Sequence, residues 1–303
     1  MQIFYIRDIE KFEFQHETAC IIGNFDGIHK GHVNLISNLI KNAKKYNLKS
    51  SCVVFYPHTK ILIFDKVQNL TTFKEQIEIL KNLGIENLFI LKFDKKIQNL
   101  QPIEFLEKST KSLNIKCFTV SQDFKFGKNA SGSVDIINNF CIKNDIYFDK
   151  IKEFLYNNEV CSASKIRYYI LNGKINIANE MLGFLYFIHG KVVKGLQNGR
   201  KIGFPTVNIL YKKIKIIPQN GVYQVKVSID RFIYNGICNI GVRPTILSNG
   251  IKVVEVHILN FNEIIYGEFI KIEFIKKIRN EIKFASLEDL KNQIEIDINY
   301  IKN

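Results

Sequence analysis

No two of the six cysteines in this 303-residue chain (Cys20, Cys52, Cys117, Cys141, Cys161 and Cys238) form a C-x-x-C pair. That absence removes the usual zinc-knuckle and dithiol patterns. The cysteines fall mostly inside apolar stretches and read as buried thiols of a reducing compartment. No apolar run approaches the ~20 residues of a membrane-spanning helix, and no early segment has the charge pattern and small-residue cleavage site of a signal peptide. The expected location is the cytoplasm, with no membrane partner. The chain also lacks a basic block or arginine-rich arm, although 43 Lys and Arg against 29 Asp and Glu give it a formal charge of +14. Such a balance suits nucleic acid, an anionic surface or polyphosphate substrates. Here the lysines are scattered beside Asn and Ile, as on solvated faces, which leaves nucleic acid a distant alternative.

What is present begins with enough chain for two domains and 46% apolar residues, so each domain can have its own core. In the first half, strands and helices alternate. An apolar run from Thr18 to Ile22 breaks at Gly23, turns through Asn24 to Gly27, and restarts as a helix near Lys30. Strand Ser51 to Tyr56, a helix capped by Thr72 with Glu75, strand Leu88 to Phe93, a helix opened by Pro102 and strand Cys117 to Val120 follow. The alternation predicts a doubly wound parallel sheet of the α/β class, with its ligand at the carboxyl ends of the strands.

A glycine-rich turn feeding a helix collects backbone N–H groups and the positive end of a dipole, which suits phosphate. His29 and His32 stand three apart on the first turn of that helix, where imidazoles can donate hydrogen bonds to phosphate oxygens. A pair of structurally satisfied histidines, or half of a zinc site, fits the spacing too. Zinc needs further ligands, and no Cys or His cluster lies close in sequence. The loop after Val120, SQDFKFGKNASG, carries Asp123, Phe124 and Phe126; its aromatic surface suits a planar ring, though such a loop more often packs in the core. Ser162 to Arg167, SASKIR, opens another helix whose hydroxyls and Arg167 can grip phosphate or simply cap and solvate.

From Leu185 the pattern changes. Runs rich in Val, Ile, Tyr and Phe recur without helices between them, which predicts a small antiparallel barrel followed by a final helix capped by Ser286 with Asp289. The expected boundary lies at Gly183, giving domains 1–183 and 184–303. Within the second, GLQNGRKIGFPTVN brings together Gly195, Gly199 and Gly203, which allow close approach to a polyphosphate, with Thr206 and Asn208 two apart. A hydroxyl and an amide oxygen suit Mg²⁺, which keeps waters and borrows phosphate oxygens. Glu255 stands in the middle of the apolar run VVEVH, as an exposed, paired or functional carboxylate.

The stretch IIGNFDGIHKGH resembles the G-x-F-D-x-x-H-x-G-H motif of the nucleotidyltransferase superfamily, in the form found in bifunctional riboflavin kinase/FAD synthetases. DFKFG, SASKIR, GRKIGFPTVN, VEVH, NIGVRPT and IRNEIKF resemble further segments of the same family in the same order, so the likeness covers nearly the whole chain. It implies an enzyme that phosphorylates riboflavin to FMN and then transfers an adenylyl group from ATP to FMN. ATP contacts are implied at Gly23, Phe25, Asp26, Gly31, Ser162, Ser164 and Arg167, and flavin contacts at Asp123, Phe124 and Phe126. Glu255 is implied as the base for the ribityl hydroxyl, Thr206 and Asn208 as the metal pair, and the three glycines as the phosphate cradle. Thr59, Ser121, Ser133 and Ala163 depart from the family pattern, so an active kinase with weakened or lost adenylyl transfer stands as the alternative.

Overall fold

The computed structural model describes residues 1–59, 68–195, 199, 202–242 and 252–302. The chain folds as two compact units, Met1–Ser162 and Ala163–Asn303.

The first unit is a six-stranded parallel sheet. Its strands are β1 (Gln2–Ile6), β2 (Thr18–Ile22), β3 (Lys49–Tyr56), β4 (Asn87–Lys92), β5 (Ile115–Ser121) and β6 (Tyr147–Ile151), in the order β1-β4-β3-β2-β5-β6. The chain steps outward from β2 to β3 and β4, then returns to place β5 on the other side of β2. The order therefore reverses at β2, and the crevice of such a sheet opens at the carboxyl ends flanking that reversal. Both β2 faces are buried, as the central strand of a covered parallel sheet requires. Ala19 and Ile21 pack on one face with Leu35, Ile36 and Leu39 of helix α1 (Lys30–Lys45). Cys20 and Ile22 pack on the other face in a cluster with Phe105 of α4 (Pro102–Leu113) and Ile137 and Phe140 of α5 (Val134–Lys143). Between these lie α2 (Phe73–Asn82), with the full Thr72 and Glu75 capping box, and the short α3 (Lys95–Gln98). A β7–β8 ribbon (Leu155–Tyr156 and Glu159–Val160) ends the unit.

The second unit opens with α6 (Ala163–Leu171) and α7 (Ile175–Leu182), the latter stopped by Gly183 at φ +85°. Then come β9 (Phe187–Val193), β10 (Val207–Tyr211), β11 (Gly221–Ile229), β12 (Phe232–Val242), β13 (Lys252–Ile258) and β14 (Phe269–Arg279). They close a barrel in the order β10-β13-β12-β11-β14-β9. Val254, Val256 and Ile258 are buried while Glu255 and His257, which alternate with them, stay partly exposed, so the odd positions of β13 face outward. Helix α8 (Leu287–Lys302) covers part of that outer face, with Ile294, Ile298 and Ile301 grouped with Val222 and Ile237. Its dock is fastened by Asp297, 2% exposed, which accepts from Nε and Nη2 of Arg279 at 2.8–3.0 Å. Helix α6 packs on α7, and α7 packs on β14 of the barrel, so the compact units part at Ser162, earlier than the Gly183 position at which the sequence pattern changes.

Candidate active sites

In the first unit the chain leaves β2 through a turn built largely from left-handed backbone: Phe25 has φ 47°, Gly27 φ 82° and Ile28 φ 41°. Gly27 also has no room for a side chain, since a Cβ there would lie 2.7 Å from Cδ1 of Leu70. Two non-glycine residues hold this strained conformation because the turn is tied down from outside. Asp26, 5% exposed, accepts from the backbone N–H groups of Leu70 and Thr71 at 3.2 and 3.1 Å. The Thr71 hydroxyl in turn accepts from the Gly27 N–H at 3.0 Å. Asp26, read from the sequence as an ATP contact, has these observed partners within the protein and acts on the shape of the turn.

His29 is the N-cap of α1, and its ring stacks on that of His32 with centroids 3.8 Å apart and planes 21° apart. The Phe25 ring meets His32 edge-on at 5.1 Å, and a Cβ on Gly31 would come within 3.1 Å of the His29 ring. Gly31 and Phe25 thus shape the imidazole pair. Each Nδ1 is buried with no hydrogen-bond partner among the described residues. Burial pulls the His29 pKa down to about 4, against the opposing pull of the Asp26 and Asp123 carboxylates. Burial, reinforced by His29, pulls His32 well below its ordinary value. Both rings are therefore neutral hydrogen-bond donors at pH 7, and positive charge on them needs an incoming anion to raise their pKa.

The amides of Lys30 and Gly31 are both directed at the thiol of Cys161, whose pKa burial raises and these amides lower.

The loop after β5 lies at the same strand ends, and the Asp123 charge reaches His29 from it. Phe126, read as a flavin contact, is only 8% exposed and belongs to the core. It stacks on Phe124 at 5.6 Å, leans on Phe105 at 6.1 Å, and lies where a Cβ on Gly132 would come within 2.7 Å. Half-buried Phe124 is the ring of this pair better exposed to a ligand. Gly23 donates its N–H to the Val53 carbonyl at 3.0 Å, fastening the start of the turn to β3.

Ser162 is the last residue of the first unit, while in the second unit exposed Ser164 and half-buried Arg167 sit in the first two turns of α6. The barrel places Glu255 in register with Asn208 on β10 and with Asn239 on β12. Cross-strand partners share a face, so Asn208, Glu255 and Asn239 form one transverse row on the outer surface. Asn239 was read only as part of a family segment; pairing its strand with the VEVH strand would have found it.

Asn208 is 6% exposed, and its amide occupies the space beside Gly195, where a Cβ would come within 2.1 Å of Nδ2. Gly199 accepts from the N–H of Phe204 at 2.8 Å and Gly203 takes φ +87°, so these two glycines shape a tight turn. Residues 196–198, 200–201 and 243–245 of the two family segments lie outside the described residues. The Pro205 carbonyl is held 2.8 Å from Nδ1 of His257, which fixes the approach to Thr206. Thr206 then lines a cavity of about 350 Å³ with Val207, Val256, Ile258, Phe261, Glu263 and Tyr266, a slot of mixed polar and apolar lining.

No cluster of three or more His, Cys, Asp or Glu suited to a metal occurs among the described residues. The candidate donors are the Thr206 hydroxyl, whose side chain lies beside Gly199, and the Asn208 amide oxygen beside Gly195, with the Glu255 carboxylate in register with Asn208. Such donors fit a Mg²⁺ ion whose remaining ligands are water and phosphate, and suit no softer metal.

The histidine turn thus lies where the strand order of a doubly wound sheet reverses, and a small closed barrel follows in the same chain. A family model for FAD synthetase matches residues 11–165, and one for riboflavin kinase matches residues 182–303. Bifunctional riboflavin kinase/FMN adenylyltransferases of Buchnera aphidicola (from Schizaphis graminum) and Bacillus subtilis are 36% and 33% identical. The alignments cover 94% and 96% of this chain and 93% and 95% of theirs. A crystal structure described as a macrolide-efflux protein from Streptococcus pneumoniae shares the fold over the full length. It has a TM-score of 0.92 at 28% identity, covering 100% of this chain and 99% of that one. The chain belongs to the bifunctional riboflavin kinase/FMN adenylyltransferase family. No helix among the described residues is long and apolar enough to cross a membrane.

Proposed function

We propose that the two reactions of the family are divided in this chain between the barrel, residues 184–303, which makes FMN, and residues 1–183, which make FAD. The observation that carries this reading is the presence of two distinct constellations, each within one compact unit: stacked His29 and His32 in the first, and the Asn208–Glu255–Asn239 row in the second.

In the barrel, Glu255 takes the proton of the ribityl hydroxyl as that oxygen bonds to the γ-phosphorus of ATP and ADP leaves. Thr206 and Asn208 hold Mg²⁺, which when bound neutralises phosphate charge. Gly195, Gly199 and Gly203 let the backbone approach the polyphosphate, and the cavity beside Thr206 takes the planar ring of one substrate. Catalysis here is mostly positioning and electrostatics.

In the first unit, an FMN phosphate oxygen bonds to the α-phosphorus of ATP while the bond to the bridging oxygen breaks and pyrophosphate departs. The nucleophile is already an anion near pH 7, its second pKa being about 6, so no general base is needed. His29 and His32 donate hydrogen bonds to the phosphate oxygens and become better donors as the polyphosphate raises their pKa. Gly23, Phe25, Asp26 and Gly31 shape that turn, and Asp123 and Phe124 border the flavin. The motif of Ser162, Ser164 and Arg167 is assigned to ATP phosphate by its resemblance to the family alone. The reading carries with it a cytoplasmic location and no nucleic-acid or membrane partner.

The test is a time course with purified protein, riboflavin, ATP and Mg²⁺, resolving riboflavin, FMN and FAD by chromatography. FMN that rises and then passes into FAD is the expected result. FMN that accumulates without FAD would leave a riboflavin kinase whose first domain has lost its chemistry.

A further inference from the structure

Thr59 departs from the proline that the family's P-H-P segment carries, yet it is joined to the histidine turn. Asn24, between Gly23 and Phe25, donates from Nδ2 to the Thr59 hydroxyl at 2.8 Å. The backbone carbonyl of Asn24 accepts from Nε2 of Gln76 at 2.5 Å. The residue is thus held at two points, from the segment after β3 and from α2. Its remaining polar atom, Oδ1, is buried and has no hydrogen-bond partner among the described residues.

A buried amide oxygen without a donor is costly unless something supplies one. A phosphate oxygen cannot, because it is itself an acceptor at neutral pH. The complementary group is an O–H or N–H on the non-phosphate part of a nucleotide: a ribose or ribityl hydroxyl, or the amino group of adenine. A proline at position 59 has no hydroxyl and could not hold the Asn24 amide in this way.

We propose that Asn24 is a substrate-contacting residue of the adenylyl-transfer site, accepting from a hydroxyl or amino group of ATP or FMN, and that Thr59 is the positioning residue that orients its amide. The proposal rests on the reading of the Gly23–His32 turn as the adenylyl-transfer site. It gives the Thr59 departure a constructive role: the hydroxyl fixes a specificity contact.

The experiment measures kcat and KM for ATP and FMN in FAD formation by Thr59→Val, Thr59→Ser, Asn24→Ala and the Asn24→Ala/Thr59→Val double variant. FMN formation and a thermal melt of each variant serve as controls, and His29→Ala is measured in parallel. Thr59→Val is expected to raise KM for one nucleotide about tenfold with kcat within threefold, while Thr59→Ser stays within twofold of the parent. Adding Thr59→Val to Asn24→Ala is expected to change nothing further. Wild-type kinetics in Thr59→Val, equal damage from Ser and Val, or an undiminished Thr59→Val effect without the Asn24 amide would each overturn the proposal. Should Thr59→Val unfold the first unit, the Asn24→Ala variant decides alone, an unchanged KM for both nucleotides sinking the contact. FAD formation surviving in His29→Ala would instead sink the underlying site assignment.

Discussion

The histidine turn of the first unit and the glutamate row of the second are assembled by opposite structural means. The turn depends on backbone: left-handed residues at Phe25, Gly27 and Ile28, held by Asp26 and Thr71, and two rings that stack because a glycine lies between them. The row depends on register: three polar side chains brought side by side because β10, β13 and β12 are adjacent in a closed barrel. A turn concentrates its chemistry in a dozen consecutive residues and is legible as a motif. A register assembles residues from positions 208, 239 and 255, and becomes visible only once the strands are paired.

The sharpest way to break this comparison is to remove each chemistry separately. Glu255→Gln is expected to lower FMN formation about 10³-fold, within the range for loss of a general base, and to leave FAD formation from supplied FMN within twofold. A loss in both reactions, read by chromatography, would show that the chemistries are not divided as assigned.

A second prediction separates stability from chemistry. Arg279→Ala strands the Asp297 carboxylate, 2% exposed, beneath α8, and is expected to destabilise the barrel by about 3 kcal/mol in urea unfolding. Next, Gly195→Ala forces its Cβ into the Asn208 amide, and about a tenfold rise in the KM for ATP in the kinase reaction is expected, with FAD formation unchanged.

The smallest effect concerns pH. The folded-state pKa of His29 is about 4 and that of His32 also lies low, both under the ordinary value of 6.5. Between those values the unfolded chain binds more protons, so stability from the neutral pair is complete above about pH 6.5 and is lost as pH falls toward 4. The melting temperature of the first unit is expected to drop between pH 7 and 5, and to drop less in a His29→Asn/His32→Asn variant. In catalysis, FAD formation is expected to decline only below about pH 6, with the FMN phosphate, and to show no loss as pH rises from 6 to 8. A loss over that upper interval would mean the imidazoles work as cations with ordinary pKa values.

Much of the fold was legible because local signals agreed with tertiary structure. The Thr72 and Glu75 box and Pro102 at a helix start fall where the sequence places them. The edge strand β1 was not read, since Gln2–Ile6 has neither turn residues before it nor strong alternation. β10 escaped because its five residues follow directly on the glycine motif, which drew the whole segment into a loop. At the sites, residue types were legible and their partners were not. Nothing in DFKFG distinguishes Phe126, packed over Gly132, from the less buried Phe124. Nothing in the spacing shows that Cys161, 130 residues on from Gly31, meets the amides at the start of α1.

The proposed division of two phosphate chemistries within one chain is open to direct measurement. Its most direct test is to supply the His29→Ala/His32→Ala variant with riboflavin, ATP and Mg²⁺ and follow both products. FMN forming at the parental rate with FAD formation reduced at least a hundredfold is the expected result. An equal fall in both products, or FAD formed at the parental rate, would contradict it.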